Sequence, residues 1–202
     1  MEKSTDKSVD PISISDLTQV TGWNRALKAA RKTAGKDTDP NKQPSETWEA
    51  NMLLAEHSPI RLVEYEWDWD KIRQWVTTHL VRHHEGCEKF VRTQRQDRND
   101  EVIDRDSLPQ GSLNGMMMTA NAQALINISR KRLCKGCASP ETRHAWELVR
   151  DEIKKQDPVL AEKMVPECLY RGFCPEWRNC CGYVNTEAYK EALEKYRNTH
   201  YD

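Results

Sequence analysis

Six segments of the chain show the residue pattern of helices. The clearest begins at Asp70 and ends at His83, where apolar side chains recur every three or four positions and would form one stripe. Another begins at Pro140 after Ser139, because serine is a favoured N-cap and proline suits the first helical position. The six predicted helices span residues 23–32, 45–56, 70–83, 116–133, 140–156 and 186–197.

Two shorter segments alternate between apolar and polar residues and predict strands. Ile12 and Ile14 alternate with serines, and residues 60–67 alternate aliphatic or aromatic side chains with charged ones. We therefore predict an α+β protein in which helices pack on a small mixed or antiparallel sheet. Residues 164–185 are rich in cysteine, proline and glycine. A main domain is thus predicted over 1–163, and a Cys-rich extension with a final helix over 164–202.

The composition bears on the location and assembly of the protein but does not indicate which reaction it carries out. The 202 residues have a net charge of −1 and are 37% hydrophobic, so part of the apolar surface could be buried against other subunits. No apolar run reaches the length of a membrane span and no signal peptide is apparent, which predicts a cytoplasmic protein without membrane contact. The seven cysteines are an odd number, which favours thiols or metal ligands over a complete set of disulfides.

A group of arginines near the middle of the chain is a candidate anion site. Arg82-His83-His84 is followed by a segment from Arg92 to Arg98, and the two together place four arginines within 17 residues. The planar guanidinium group binds phosphate through two parallel hydrogen bonds. A charged, solvated face would show the same composition, and the charge pattern alone favours that interpretation.

The segment from Asn121 to Arg132 places polar side chains on a helix that is otherwise apolar. At helical spacing Asn121 and Arg132 share one face with Leu125 and Ile128, whereas Gln123 and Asn127 share another. Buried amides are costly unless they are paired, so two polar stripes indicate either two polar ligands or contacts between subunits.

The cysteines provide a candidate metal site. Cys134 and Cys137 have the C-x2-C spacing of a zinc knuckle. A second pair of ligands for a structural zinc site could come from Cys168, Cys174, Cys180 or Cys181, and Cys168 and Cys174 are the predicted pair. Buried free thiols would explain the same residues. The sequence has neither of the common glycine-rich phosphate loops, so it has no Rossmann fingerprint for a dinucleotide.

In order and spacing, these segments resemble the flavin-dependent thymidylate synthases. Arg82-His83-His84 resembles the opening of that family's R-H-R-x7-S signature. Arg105, Leu108-Pro109 and the helix from Asn121 to Arg132 fall where the family has an arginine, Leu-Pro and an N-A-R-x3-N-x4-R helix. The resemblance covers about residues 48–156 and is closest to short members of phage type.

The resemblance implies a homotetramer that binds FAD between subunits and methylates dUMP to dTMP at C5. Methylenetetrahydrofolate would be the one-carbon donor, and NADPH would supply reducing equivalents. The resemblance assigns a catalytic role to Arg132 and Arg105. Substrate-binding residues would be Arg95, Arg105, Arg132, Gln94 and His79, and cofactor-binding residues would be Arg82, His83, His84, Asn121, Gln123 and Asn127.

The chain departs from the family pattern at positions that bear on specificity. His84 and Gln123 stand where the family has arginine, and the serine of the signature is missing. A related enzyme that acts on dCMP or forms a 5-hydroxymethyl product is therefore an alternative, as is a scaffold without activity. A zinc-stabilised module that binds single-stranded nucleic acid is an alternative of another class, which the net charge of −1 does not favour.

Overall fold

An antiparallel sheet of four strands forms the centre of the fold. The computed structural model describes residues 11–37, 39–98 and 104–198. The sheet order is β1-β2-β4-β3, so β2 and β4 are the inner strands. The strands are β1 (Ser13–Thr21), β2 (Glu64–Arg73), β3 (Cys87–Val91) and β4 (Leu113–Asn121).

The described residues also contain eight α-helices, and the first six contribute residues to the core that includes the sheet. Within that part of the chain no helix has the length and apolar character needed to cross a membrane. The helices are α1 (Trp23–Thr33), α2 (Glu46–Leu54), α3 (Gln74–Leu80), α4 (Ala122–Arg132), α5 (Pro140–Gln156), α6 (Pro158–Lys163), α7 (Glu167–Arg171) and α8 (Glu187–Arg197).

Alternation along the inner strands determines which face of the sheet is buried. Trp67 and Trp69 of β2 and Met116 and Met118 of β4 are almost fully buried, whereas the residues between them are more exposed. Trp67 packs edge-on against Trp146 of α5, with ring centroids 6.2 Å apart. Helix α5 therefore covers the centre of the sheet, where large aromatic rings supply much of the buried apolar area.

Two predicted helices begin later than the sequence suggested, because strands occupy their first residues. The prediction of a helix over 70–83 is wrong for its first part, since β2 continues to Arg73 and α3 is only Gln74–Leu80. The prediction of a helix over 116–133 is also wrong at its start, since β4 continues to Asn121. Pairing of Trp67 with Met118 and of Trp69 with Met116 holds the start of the segment 116–133 as a strand. Strand β2 continues beyond Trp69 and so includes the start of the segment 70–83.

The other predicted helices agree with the structure to within two residues, whereas both predicted strands continue further than the sequence suggested. Ser45 and Ser139 cap their helices as predicted, by accepting hydrogen bonds from the backbone N–H groups three residues later. The predicted strand over 60–67 begins only at Glu64, after a 3-10 turn. The α+β class with a small antiparallel sheet is confirmed.

A buried carboxylate joins three distant parts of the main core. Trp23 Nε1 and Tyr65 Oη both donate hydrogen bonds to Asp157 Oδ2, each over 2.7 Å. Asp157 Oδ1 accepts from the backbone N–H of Leu160 and so caps α6. Burial, followed by repulsion from Asp157, raises the pKa of nearby Glu49 to about 7.

The C-terminal part has a small apolar cluster of its own. Cys168, Leu169 and Tyr189 are buried together, whereas Met164 belongs to the main core. Helix α7 contacts α4, where the guanidinium group of Arg130 lies 3.5 Å from the ring centroid of Tyr170. The predicted division at residues 163 and 164 stays a prediction.

Candidate functional site

The C-terminal ends of α3 and α4 meet through Arg132. Its Nε donates a hydrogen bond to His83 Nε2 over 3.0 Å, and its Nη2 donates to the backbone carbonyl of His79. His83 lies just beyond the end of α3, and Arg132 is the last residue of α4. The structure thus brings Arg132 against two residues that precede it in the sequence by 49 and 53 positions.

His83 is electrically neutral near pH 7. Burial, together with the nearby cations Arg132 and Lys89, lowers the pKa of His83 to about 4. Because Nε2 accepts the hydrogen bond from Arg132, the ring proton is assigned to Nδ1. The imidazole therefore orients the guanidinium group of Arg132 without adding a positive charge.

His79 is held from the opposite side by the start of α5. Its Nδ1 lies 2.9 Å from Thr142 Oγ1, and the Thr142 hydroxyl in turn lies 3.0 Å from that of Ser139, the N-cap residue of α5. Burial, and then the charges of Arg132 and Arg82, lower the pKa of His79. Helix α5 thus fixes the histidine whose carbonyl binds Arg132.

Arg82 adds an exposed positive charge to this group. Burial, followed by the charge of Arg82, lowers the pKa of Arg132. His84 is also exposed and contributes to the lowered pKa of His83. Of the predicted group Arg82, His83 and His84, His83 contacts Arg132, and the two exposed residues beside it could contact an anion.

Asn121 connects this region to a neighbouring cavity. Its side chain caps α4 by accepting a hydrogen bond from the backbone N–H of Ala124 over 2.9 Å. The side chain also packs closely on Gly86, which has a φ angle of +70° and lies between His83 and β3. A side chain at position 86 would collide with the Asn121 amide, so glycine is required for this contact.

The cavity beside Asn121 has a volume of about 700 Å³ and polar walls. Gln123 Nε2 donates to Glu56 Oε2 over 2.6 Å, and Asn127 Oδ1 accepts from Arg130 Nη1 over 3.0 Å. Glu56 also pairs with Arg130 and has an uncommon positive φ angle of 50°. The cavity is lined by Glu56, Arg61, Glu85, Gly86, Asn121, Gln123, Ala124 and Asn127.

The predicted faces of α4 are thus partly correct. Gln123 and Asn127 lie on one face and line the same cavity. Leu125 and Ile128, by contrast, point into the apolar core, and Asn121 caps the helix instead of belonging to it.

Three predicted substrate-binding residues belong to segments other than α3 and α4. Arg95 forms a two-point ion pair with Asp97 in an exposed segment, and Gln94 beside it is partly buried. Arg105 begins an exposed 3-10 turn before β4. Among the described residues, no hydrogen bond or ion pair connects Arg105 to His83 or Arg132.

Several residues of the site were not predicted from the sequence. Glu56, Arg61 and Arg130 contribute to the cavity, and Thr142 positions His79. Their residue types are common on protein surfaces, and only the meeting of distant segments gives them this role. The positive charge of Arg130 within the 130–132 run of basic residues was the only visible signal.

Comparison with known proteins identifies solved structures with a similar fold. No protein-family model matches the chain, and no curated protein matches its sequence significantly. A solved structure of the UMP/dUMP methylase PolB from Streptomyces cacaoi, bound with 5-Br dUMP, matches it with a TM-score of 0.56 and 14% identity. The chain has the fold of this methylase. The match covers 80% of this chain and 96% of PolB.

A second PolB structure, bound with 5-Br UMP, gives the same result. Its TM-score is 0.54 at 14% identity, over 75% of this chain and 93% of PolB. The match spans nearly all of PolB in both structures, so this chain contains the PolB fold with additional residues.

Proposed function

We propose that this protein is a flavin-dependent pyrimidine nucleotide C5-methylase that converts dUMP to dTMP. One observation carries the proposal: on a fold shared with PolB, Arg132 is held by His83 and His79 at the point where α3 and α4 meet. The ordered motifs around Arg82 and Arg132 resemble the flavin-dependent thymidylate synthases, and the same residues converge in space.

Arg132 would bind the pyrimidine nucleotide. A guanidinium group has five N–H donors, and the described contacts of Arg132 use one on Nε and one on Nη2. The remaining donors could bind a carbonyl oxygen of the base and stabilise the negative charge that develops there during attack on the ring. Arg82, which is exposed beside it, would bind the phosphate.

The neutral state of His83 supports this role for Arg132. An accepting imidazole nitrogen keeps the guanidinium plane fixed, which reduces the conformational entropy lost when substrate binds. A protonated His83 would lose that hydrogen bond and repel Arg132. Since the pKa of His83 is about 4, the productive arrangement persists throughout the physiological pH range.

The polar cavity beside Asn121 has the size and donor set expected of a site for a planar heterocycle. Ligand cavities commonly enclose about 300 to 1,000 Å³, and Asn121, Gln123 and Asn127 supply amide donors and acceptors here. Arg61 is the cation that lines it. These residues would hold a flavin, which supplies redox chemistry with methylenetetrahydrofolate and NADPH as co-substrates.

Arg95, Arg105 and Gln94 would act from another subunit. They lie in exposed segments on the chain that carries the Arg132 group. A homotetramer that shares its sites between subunits would bring them to the nucleotide of a neighbour.

The function is tested by cofactor binding and product analysis on the purified chain. We expect flavin absorbance after reconstitution with FAD, and dTMP detected by mass spectrometry after incubation with dUMP, methylenetetrahydrofolate and NADPH. Arg132→Met should lower the rate by about 100-fold or more. Arg31→Met is a matched control, because Arg31 belongs to α1 and donates to the backbone carbonyl of Asp37.

Parallel reactions separate the alternatives. Conversion of dCMP but not dUMP, or a 5-hydroxymethyl product, would replace the proposed reaction with the related one. A chain that binds no flavin with dUMP present, and releases no tritium from C5-labelled dUMP, would refute the proposal and leave the inactive scaffold.

A further inference from the structure

Five of the seven cysteines lie around one small cavity that the proposed function does not use. The cavity has a volume of about 290 Å³ and lies between the end of α4 and the C-terminal loops. Its lining includes Cys134, Cys168, Cys174, Cys180 and Cys181. Residues from a helix end, a short helix and an irregular loop thus converge on one space.

Backbone geometry holds the two sides of this cavity close together. After α4 the chain makes a tight turn in which the backbone N–H groups of Cys137 and Ala138 donate to the carbonyl of Cys134. Gly136 of this turn packs directly against the backbone carbonyl of Asn179, where a β-carbon would not fit. The turn that begins at Cys134 is therefore pressed against the loop that contains Cys174 and Cys180, so cysteines distant in the sequence face one space.

Several of these thiols contact one another. Cys174 and Cys180 share a side-chain hydrogen bond, and Cys134 shares another with Cys137. Cys134 also lies close enough to Cys168 and Cys174 to interact with them electrostatically.

Cys137 contacts Cys134 but does not line the cavity. Its Sγ donates a hydrogen bond to Glu176 Oε1 over 2.7 Å, and its side chain is exposed. The predicted ligand set included Cys137. Of the two further cysteines in the lining, Cys180 and Cys181, it is Cys180 that contacts Cys174, and we assign it as the fourth ligand.

We propose that Cys134, Cys168, Cys174 and Cys180 bind one zinc ion. Zinc is the divalent ion that most commonly takes four thiolates in a tetrahedral structural site. As the side chains stand, no group of three His, Cys, Asp or Glu residues in the described part of the chain is placed to hold a metal. Ion binding would therefore draw the four thiolates inwards by rotation about their side-chain bonds.

The charges around the cavity fit this ligand set. Four thiolates and one Zn²⁺ carry a net charge of −2, and Lys135 and Arg150 both line the cavity. Four protons leave as four Zn–S bonds form, with no change in oxidation state. Cys134 lies two residues after Arg132, so the ion would fix the end of α4 at the residue that contacts His83.

The zinc content of the full chain, purified without chelator, tests the proposal. We expect about one zinc per chain by elemental mass spectrometry. Replacement by cobalt(II) should give the intense thiolate charge-transfer band and the visible bands of a tetrahedral site. Stepwise titration of the unmodified chain with a mercurial reagent should release zinc as about four thiols react, and this readout needs no variant to fold.

Single substitutions identify the ligands. Cys168→Ser and Cys180→Ser should lose most of the zinc, whereas Cys137→Ser should retain it. Cys87→Ser is the matched control, since Cys87 is a buried cysteine of β3. A native chain without zinc or a cobalt spectrum would overturn the proposal, as would a disulfide between Cys174 and Cys180 in the unreduced protein. Zinc lost in Cys137→Ser but kept in Cys168→Ser would overturn the ligand assignment.

Discussion

Replacing Gly86 with alanine tests the connection between the Arg82 segment and α4. The φ angle at Gly86 is +70°, which side chains rarely adopt. A β-carbon there would lie 2.6 Å from Asn121 Nδ2 and 2.8 Å from Asn121 Oδ1, well inside van der Waals contact. Alanine at position 86 would thus strain the backbone and displace the residue that caps α4.

A substitution at a second glycine separates the backbone strain from the collision with Asn121. Gly35 has a φ angle of +67°, but nothing lies within 4 Å of its β-carbon position. Gly35→Ala should therefore cost only the backbone strain, about 1 to 2 kcal/mol. Gly86→Ala should cost about 1 kcal/mol more, because the Asn121 cap on Ala124 weakens when the amide moves.

The two variants are compared by urea unfolding followed by tryptophan fluorescence. We expect Gly86→Ala to have the lower free energy of unfolding at an unchanged m-value. It should also bind flavin more weakly, since Asn121 lines the polar cavity. Equal destabilisation of the two variants would show that Asn121 does not hold Gly86 in place, and the proposed coupling would be wrong.

Three further predictions concern ionisable groups. Removing the guanidinium group in Arg132→Met should raise the pKa of His83 by about one to two pH units, because a charge-assisted hydrogen bond and a nearby cation are lost. An NMR titration that gives the same His83 pKa in both proteins would contradict this prediction. The pKa of Glu49 is about 7 in the folded chain, above its ordinary value of 4.5, so the folded state binds more protons between these values and its stability falls as pH rises through them. Glu49→Gln should therefore stabilise the fold at pH 8 and have little effect below pH 4.5, as measured by urea unfolding at both pH values; equal effects at the two would refute the assignment. Tyr65→Phe should lower the free energy of unfolding by about 2 to 3 kcal/mol, because the buried Asp157 carboxylate loses a donor; a change near zero would mean that water replaces the hydroxyl.

The sequence predicted helices well where local signals mark their ends. Helix α5 matches its predicted range because Ser139 caps it, Pro140 occupies its first position, and Asp157-Pro158 ends it. These signals act within a few residues, so they are visible without knowledge of the fold.

The errors at α3 and α4 arise from pairing between distant residues. The segments that begin at Asp70 and Met116 contain apolar spacing compatible with a helix, but their first parts belong to strands β2 and β4, which pair with each other. Local spacing cannot distinguish these outcomes, because the decision depends on which partner strand is available.

The residues of the candidate site were likewise predicted only in part. The family resemblance identified His83 and Arg132, and the structure places them in contact. Glu56 could not be identified, since its role depends on Gln123 and Arg130, which lie more than 60 residues away. The exposed position of Arg105 likewise follows from the fold and not from its neighbours in the sequence.

The buried carboxylate of Asp157 has a consequence for the order in which the protein is made. Its partners Trp23 and Tyr65 precede it by 134 and 92 residues. While the chain is being synthesised, the sheet and α1 have left the ribosome before their shared acceptor has been added. Both donors must remain hydrated until then, so the core closes late and in one step. A ribosome-bound chain that stops before residue 157 should consequently remain sensitive to protease, even though all four strands are already present.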